Sequence, residues 1–205
     1  MTRLIIARHG NTFGPDDTPT RVGANTDLSL VESGREQARK IGVFLNENRL
    51  IPDVIYTSHL KRTVETAEIA VKSSGVTNPT YQLDIFNEVD YGPDENKVEA
   101  DVIARIGAQA IKDWDERALV PDGWVVDPDQ IIKNWMDFED QIRAHDDNET
   151  VLVVTSNGVA RFAPHITGDF EGFSANHNIK LSTGALAILE HVGGGWVVRE
   201  WNLKP

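Results

Sequence analysis

Short apolar runs alternate along the chain with segments whose apolar residues recur at helical spacing. Four of these runs have the length of a strand, and they cover residues 2–7, 53–58, 80–84 and 150–155. Strands that alternate with helical segments typically form a mostly parallel sheet covered on both faces. The pattern therefore predicts an α/β fold with three layers. Two further apolar stretches flank glycines 193–195, which predicts a C-terminal β-hairpin.

The helical segments contain a predicted helix start and a long insertion. Ser29 and Glu32 have the spacing of a capping box and precede the first apolar helical stripe. Residues 93–148 are rich in polar residues and predict two helices separated by a turn at 121–124. No repeat or low-complexity linker divides the chain, so we expect one domain over residues 1–205 with this helical insertion.

Composition narrows the function classes. The 205 residues are 40% hydrophobic and carry a net charge of −12, which disfavours nucleic acid as the main partner but leaves room for a small anion in a local cationic pocket. The absence of cysteine excludes disulfides and thiolate metal sites. No apolar run is long enough for a membrane span, so we expect a cytoplasmic protein.

Polar turns follow three of the predicted strands. Arg8 and His9 follow the first strand, residues 57–59 with Arg62 one helical turn later follow the second, and residues 155–158 follow the fourth. Ligands of open parallel sheets bind beyond the carboxyl ends of the strands, where such turns converge. Guanidinium groups suit phosphate, and an imidazole between them can serve as a nucleophile for a phosphoryl group. These turns therefore predict a phosphate site.

Four ordered segments carry a resemblance to a known family. They read RHGNT at 8–12, DLSLVESGREQA at 27–38, YTSHLKRTVETAEI at 56–69 and FNEVDYGPDENK at 86–97. Together they resemble the histidine phosphatase superfamily, also called phosphoglycerate mutase-like. The resemblance implies the three-layer α/β fold and phosphoryl chemistry without a cofactor.

The resemblance also implies roles for individual residues. Arg8 and Arg62 would clamp the phosphate and His9 would be the nucleophile. Asn11 matches a loop position that often touches the phosphate, and Arg21 is a candidate at the edge of the pocket.

The resemblance gives Glu88 the role of proton donor to the leaving oxygen. It lies in a segment with many acids, of which Glu95 and Asp90 are alternatives for the same role. The remaining histidines, His145, His165 and His191, show no paired spacing typical of a metal site, and we expect no bound metal.

The chain departs from the family pattern after the fourth strand. Family members usually have a second histidine where this chain has Ser156, followed by Asn157. These two residues could contact the ligand or only cap a helix. His59 and His177 are candidates to replace the missing imidazole, although each could be a surface histidine.

Three function classes follow, in decreasing order of preference. The first is a phosphomonoesterase that acts on a small phosphorylated molecule through a phosphohistidine, with activity reduced by Ser156. The second is a weakly active or inactive relative that binds a phosphorylated ligand or inorganic phosphate. The third is a phosphoglycerate mutase, for which 205 residues is short. The sequence does not decide the oligomeric state.

Overall fold

A computed structural model describes residues 1–145 and 149–205. Six strands form one sheet. In chain order they are β1 (Arg3–Arg8), β2 (Val54–Thr57), β3 (Thr80–Gln82), β4 (Thr150–Thr155), β5 (Leu186–Val192) and β6 (Gly195–Leu203). All four strands predicted from the apolar runs are present; β4 has the predicted boundaries, and those of the other three differ by at most two residues.

The strand order across the sheet is β3-β2-β4-β1-β5-β6. The pairs β2–β3, β2–β4 and β1–β4 are parallel, whereas β1–β5 and β5–β6 are antiparallel. The last pair is the predicted hairpin, and its turn contains Gly193 and Gly194, both with positive φ. The predicted α/β fold with a mostly parallel sheet is thus confirmed.

The alternation of side chains along β1 explains the three layers. Leu4 and Ile6 point to one face of the sheet and Ile5 and Ala7 to the other, and all four are fully buried. A strand buried on both faces needs helices on each side, since successive side chains project in opposite directions. Both faces of the sheet are covered in this way.

Seven helices surround the sheet in the described part of the chain. They are α1 (Glu32–Glu47), α2 (Lys61–Ser74), α3 (Glu99–Ile106), α4 (Ala108–Arg117), α5 (Pro128–His145), α6 (Asn157–Ala160) and α7 (Phe170–Asn176). Helices α1 and α2 pack together on the face of Ile5, and the residues of α3 to α7 contribute to the core on the face of Leu4. None of the described helices combines the length and the apolar character needed to cross a membrane.

The insertion contains three helices instead of the predicted two. Gly107 has φ +84° and ψ 150°, so it breaks the helical path and separates α3 from α4. The predicted turn at 121–124 is present, with the Trp124 amide donating to the Pro121 carbonyl. The last residues of the insertion, 146–148, and the side chain of His145 lie outside the described part of the chain.

The predicted capping box at Ser29 and Glu32 is wrong. Helix α1 begins at Glu32 itself, and no side chain caps it. The Leu30 amide donates instead to the Glu65 carboxylate of α2 at 2.9 Å, and the Val31 amide to the Asn11 carbonyl at 3.0 Å. Tertiary partners thus satisfy the backbone groups that a local cap would have satisfied.

Candidate functional site: a cationic cleft at the carboxyl ends of β1 and β4

A cleft of about 490 Å³ opens where β1 and β4 end. Its wall contains six of the residues singled out from the sequence, which are Arg8, His9, Asn11, Arg21, Glu88 and Asn157. Arg62 and Ser156 are fully buried and do not line it. The topology therefore gathers polar residues from four separate segments at one edge of the sheet, as expected for a parallel sheet.

His9 lies directly after β1 and is 6% exposed. Its amide donates to the Thr155 carbonyl of β4, and its Nδ1 lies 2.8 Å from the Gly10 carbonyl oxygen. A carbonyl can only accept, so Nδ1 carries the proton and the lone pair is on Nε2. Burial, followed by the charges of Arg62 and Arg8, holds the pKa of His9 well below its ordinary value. The ring is therefore a neutral imidazole with Nε2 available.

Arg8 and Arg62 are held by backbone carbonyls. Arg8 Nη1 donates to Leu181 at 2.7 Å, while Arg62 donates to Thr26 at 2.9 Å and Gly23 at 3.2 Å. The Nε of each guanidinium is buried and has no partner among the described residues. Burial lowers the pKa of both, yet a guanidinium keeps its charge in proteins. Fully buried Arg62 and partly buried Arg8 thus each have a buried Nε that lacks a partner among the described residues, and an anion would satisfy such donors.

Ser156 follows β4, and its fully buried Oγ also lacks a partner among the described residues. It is the N-cap of α6 by position, but its side chain makes no capping hydrogen bond. The neighbouring Asn157 lines the cleft, and its Oδ1 accepts from the Leu181 amide at 2.8 Å. Like the Nε atoms of Arg8 and Arg62, the Ser156 hydroxyl is thus a buried polar group that no described residue satisfies.

Glu88 is 6% exposed and lines the cleft. One carboxyl oxygen accepts from the Val89 amide at 2.9 Å and the other from the Gly158 amide at 3.2 Å, so both are oriented by backbone groups. The two alternative acids do not line the cleft. Glu95 accepts from the loop at residues 23–26, and Asp90 accepts from the Gly92 amide.

Two further residues from the sequence lie in the cleft wall. The Asn11 side chain is held by the hydroxyls of Thr183 and Ser33. Arg21 pairs with Glu99, and its Nε is buried without a partner in the described part of the chain. Both residues are therefore already oriented by neighbouring side chains.

The structure does not bring His59 and His177 into the cleft. The ring of His59 is half-exposed, contacts Gln82 at 3.0 Å and lies 3.1 Å from Asp84. The His177 ring stacks on Phe173, with its Nδ1 near the carbonyl of the same residue. Neither histidine occupies the position opposite His9.

Sequence reasoning missed Arg161, a buried cation in the cleft wall. Its guanidinium lies 4.1 Å from the centre of the Trp114 ring and donates to the carbonyls of Trp114 and Asn157. It is 1% exposed and interacts electrostatically with Glu88 and Arg8. The sequence did contain a signal, since Arg161 is the one charged residue in the mostly apolar segment 151–163. An arginine in a buried segment needs a specific partner, so its position could have indicated a functional role.

The chain is similar in sequence to phosphoglycerate mutases. The 2,3-bisphosphoglycerate-dependent enzyme of Arthrobacter sp. (strain FB24) is 34% identical over 113 residues, which is 55% of this chain and 45% of that protein. Phosphoglycerate mutase 1 of Saccharomyces cerevisiae is 29% identical over 59% of this chain and 49% of its own length. The chain thus spans about half the length of the curated relatives it matches.

Solved structures match over nearly the whole chain. YhfR of Bacillus stearothermophilus has a TM-score of 0.79 at 23% identity, covering 99% of this chain and 98% of that one. A mycobacterial glucosyl-3-phosphoglycerate phosphatase in complex with VO3 has a TM-score of 0.78 at 20% identity, covering 98% of each chain. A family model described as histidine phosphatase superfamily (branch 1) matches residues 4–204. Because that match includes almost every residue, the chain belongs to branch 1 of the histidine phosphatase superfamily.

Proposed function

We propose that the protein is a phosphomonoesterase that acts on a small phosphorylated molecule through a phosphohistidine intermediate. The observation that carries the proposal is the state of His9, a neutral imidazole with a free Nε2 close to Arg8 and Arg62, whose buried Nε donors have no partner among the described residues. A neutral ring nitrogen can attack phosphorus, and guanidinium donors stabilise the charge of the phosphoryl oxygens. The net charge of −12 favours a small molecule over a nucleic acid as the substrate.

The reaction has two steps. In the first, Nε2 of His9 forms a bond to phosphorus as the bond to the ester oxygen breaks, and protonated Glu88 gives its proton to the leaving oxygen. In the second, water attacks the phosphohistidine and gives a proton to the Glu88 carboxylate, which releases phosphate and restores both residues. Arg8 holds the phosphoryl oxygens throughout, and the buried charge of Arg62 close to His9 adds electrostatic stabilisation.

Ser156 is proposed to limit the rate of this chemistry. A hydroxyl donates one hydrogen bond but brings no positive charge, whereas charge-assisted bonds are about twice as strong. Loss of one preorganised donor typically costs roughly 100- to 1000-fold in rate. The unpartnered Oγ of Ser156 also favours a second candidate function, a relative that binds a phosphorylated ligand without turning it over.

Acid quench during turnover of 4-nitrophenyl phosphate tests the proposal. We expect an acid-labile, base-stable phosphoryl adduct on His9, located by mass spectrometry, and no adduct in the His9→Asn protein. Product formation without the adduct would exclude His9 as nucleophile. Phosphate binding without any product would support the binding relative instead.

A further inference from the structure

The cleft continues outward beyond the residues that the proposed chemistry uses. Its volume of about 490 Å³ is in the range of sites that hold a whole small molecule, so it can enclose the group attached to the phosphate. The outer wall contains four charged side chains with no role in phosphoryl transfer, which are Arg21, Glu99, Asp115 and Lys180. Their arrangement decides which leaving group fits.

These four side chains form two ion pairs. Arg21 Nη2 lies 2.6 Å from Glu99 Oε2, and Lys180 Nζ lies 2.6 Å from Asp115 Oδ2. The Arg21 guanidinium also lies over the ring of Tyr91, 5.3 Å from its centre, and is only 12% exposed. Both outer cations therefore have an internal anionic partner, and Arg21 is further held by an aromatic ring.

The remaining cations of the wall are also engaged. Arg8 is assigned to the phosphoryl group and is held by the Leu181 carbonyl. Arg161 donates from Nε to the Asn157 carbonyl and from Nη1 to the Trp114 carbonyl, and its guanidinium lies over the Trp114 ring. Within the described residues, each outer cation therefore has an anionic partner, whereas Arg8 and Arg161, which interact electrostatically with each other, add positive charge at the end of the cleft assigned to the phosphoryl group.

An ion pair still offers hydrogen bonds to a neutral hydroxyl. A hydroxyl both donates and accepts, so it can donate to the carboxylate of Glu99 or Asp115 and accept from the adjacent cation. Arg21 Nε is a buried donor that lacks a partner among the described residues. A ligand carboxylate can only accept, and it would meet the like charges of Glu99 and Asp115.

We infer that the phosphorylated ligand of this cleft is an ester of an uncharged, polyhydroxylated alcohol and not of a hydroxy acid. The inference rests on the proposed function for the position of the phosphoryl group. The class of leaving group follows from the two outer ion pairs, because their acids accept hydrogen bonds from hydroxyls and repel a carboxylate.

Two probes of matched phosphate chemistry test the inference: D-glucose 6-phosphate, which has a neutral alcohol, and 3-phospho-D-glycerate, which has a carboxylate. Their dissociation constants are measured by calorimetry on His9→Asn, which cannot turn them over, and their kcat/KM values on the wild type. We expect a preference for the sugar phosphate of about tenfold or more, as a charge-assisted contact in a partly exposed site would give.

Removal of one acidic partner should weaken or abolish this preference. In Glu99→Gln and in Asp115→Asn a cation becomes free, so the ratio of affinities should shift toward 3-phospho-D-glycerate by about tenfold. Asp137→Asn is the control, because it removes the acid of an exposed ion pair on α5, outside the cleft, and should leave the ratio unchanged.

The outcomes separate the two proposals. A wild-type preference for 3-phospho-D-glycerate, an unshifted ratio in both acid variants, or no binding of either probe would overturn the inference. If 4-nitrophenyl phosphate is not hydrolysed by the wild type but the binding preference and its loss in the acid variants are observed, the esterase proposal fails and the neutral-alcohol ligand is supported.

Discussion

At the scale of single residues, the cleft contrasts charged and neutral donors. Arg8 and Arg62 bring permanent charge and donate through Nη1 to backbone carbonyls, while the Nε of each has no partner among the described residues. Ser156 offers a hydroxyl without charge, which likewise lacks a partner in the described part of the chain. Arg161 supplies buried positive charge from the end of α6, only five residues beyond Ser156. The site is therefore cationic even without an imidazole at position 156.

Ser156→His tests whether the site lacks only that imidazole. The new ring would lie at the carboxyl end of β4, whose last residue pairs with Arg8. We expect hydrolysis of 4-nitrophenyl phosphate to rise by roughly 100-fold, the value of one preorganised donor in a transition state. Ser156→Ala is the comparison variant and should lower the rate, because it removes the hydroxyl that can donate one neutral hydrogen bond to the phosphoryl group.

The rate of Ser156→His is measured by steady-state kinetics and its phosphate affinity by calorimetry, and the two values together distinguish the alternatives. A flat rate with retained phosphate affinity would mean that Arg161 or a water already performs the role of the histidine. A lower rate with unchanged thermal stability would show that the serine itself suits the substrate, and the idea of a limited site would be abandoned.

At the scale of elements, α6 approaches the Glu88 loop through a backbone without a side chain. The Gly158 amide donates to Glu88, and a Cβ at position 158 would lie 2.2 Å from Glu88 Oε1. Only glycine allows so close an approach, because real Cβ atoms are not found at such a distance from an oxygen. The contact between α6 and this loop thus sets the position of the proposed proton donor.

Gly158→Ala should displace Glu88 and affect substrates according to their leaving group. A poor leaving group needs protonation and an aryl oxide needs little, so we expect kcat/KM to fall by about 100-fold for D-glucose 6-phosphate and much less for 4-nitrophenyl phosphate. Gly195→Ala is the control, since no atom lies within 4 Å of the added carbon. Equal losses on both substrates would contradict the role of Glu88 as proton donor.

At the scale of the whole molecule, buried titratable groups link stability to pH. The pKa of His9 lies well below its ordinary value of 6.5 because of burial and two nearby arginines, so the folded protein holds the ring neutral. The unfolded chain takes up the proton near pH 6.5, and below that pH the unfolded state binds more protons. Stability should therefore decrease as the pH falls below 6.5.

Urea unfolding at pH 7.5 and 5.5 measures this effect. We expect the free energy of unfolding to fall by about 1.4 kcal/mol for each pH unit below 6.5 while His9 stays neutral in the fold. His9→Gln should show a smaller decrease; an equal decrease would rule out His9 as the source. The lower limit of pH 5.5 keeps the carboxylates out of the measurement. The pKa of Asp94, for example, is lowered mainly by its hydrogen bond to Arg105, and its contribution to stability is lost only from about pH 4 downward.

Local pattern was enough to predict the layers of the fold and the residues of the first turn. Apolar runs and helical stripes report which residues must be buried, and this requirement acts within a few residues of sequence. The helix break at Gly107 and the start of α1 were not predicted from this local pattern. At Gly107 the sequence did not reveal the positive φ, and at α1 the cap comes from Glu65 of another helix.

The sequence by itself determined the α/β layers and the polar turn of Arg8 and His9 at the end of β1, because both depend on neighbouring residues. Only the tertiary structure decided the His9 tautomer, the buried Arg161 and the ion pairs of the outer cleft. Arg8 is held by a carbonyl 173 residues away, and Lys180 pairs with an acid 65 residues away. Charge and hydrogen bonding act through space, so the partners that orient and neutralise these groups exist only once the chain has folded.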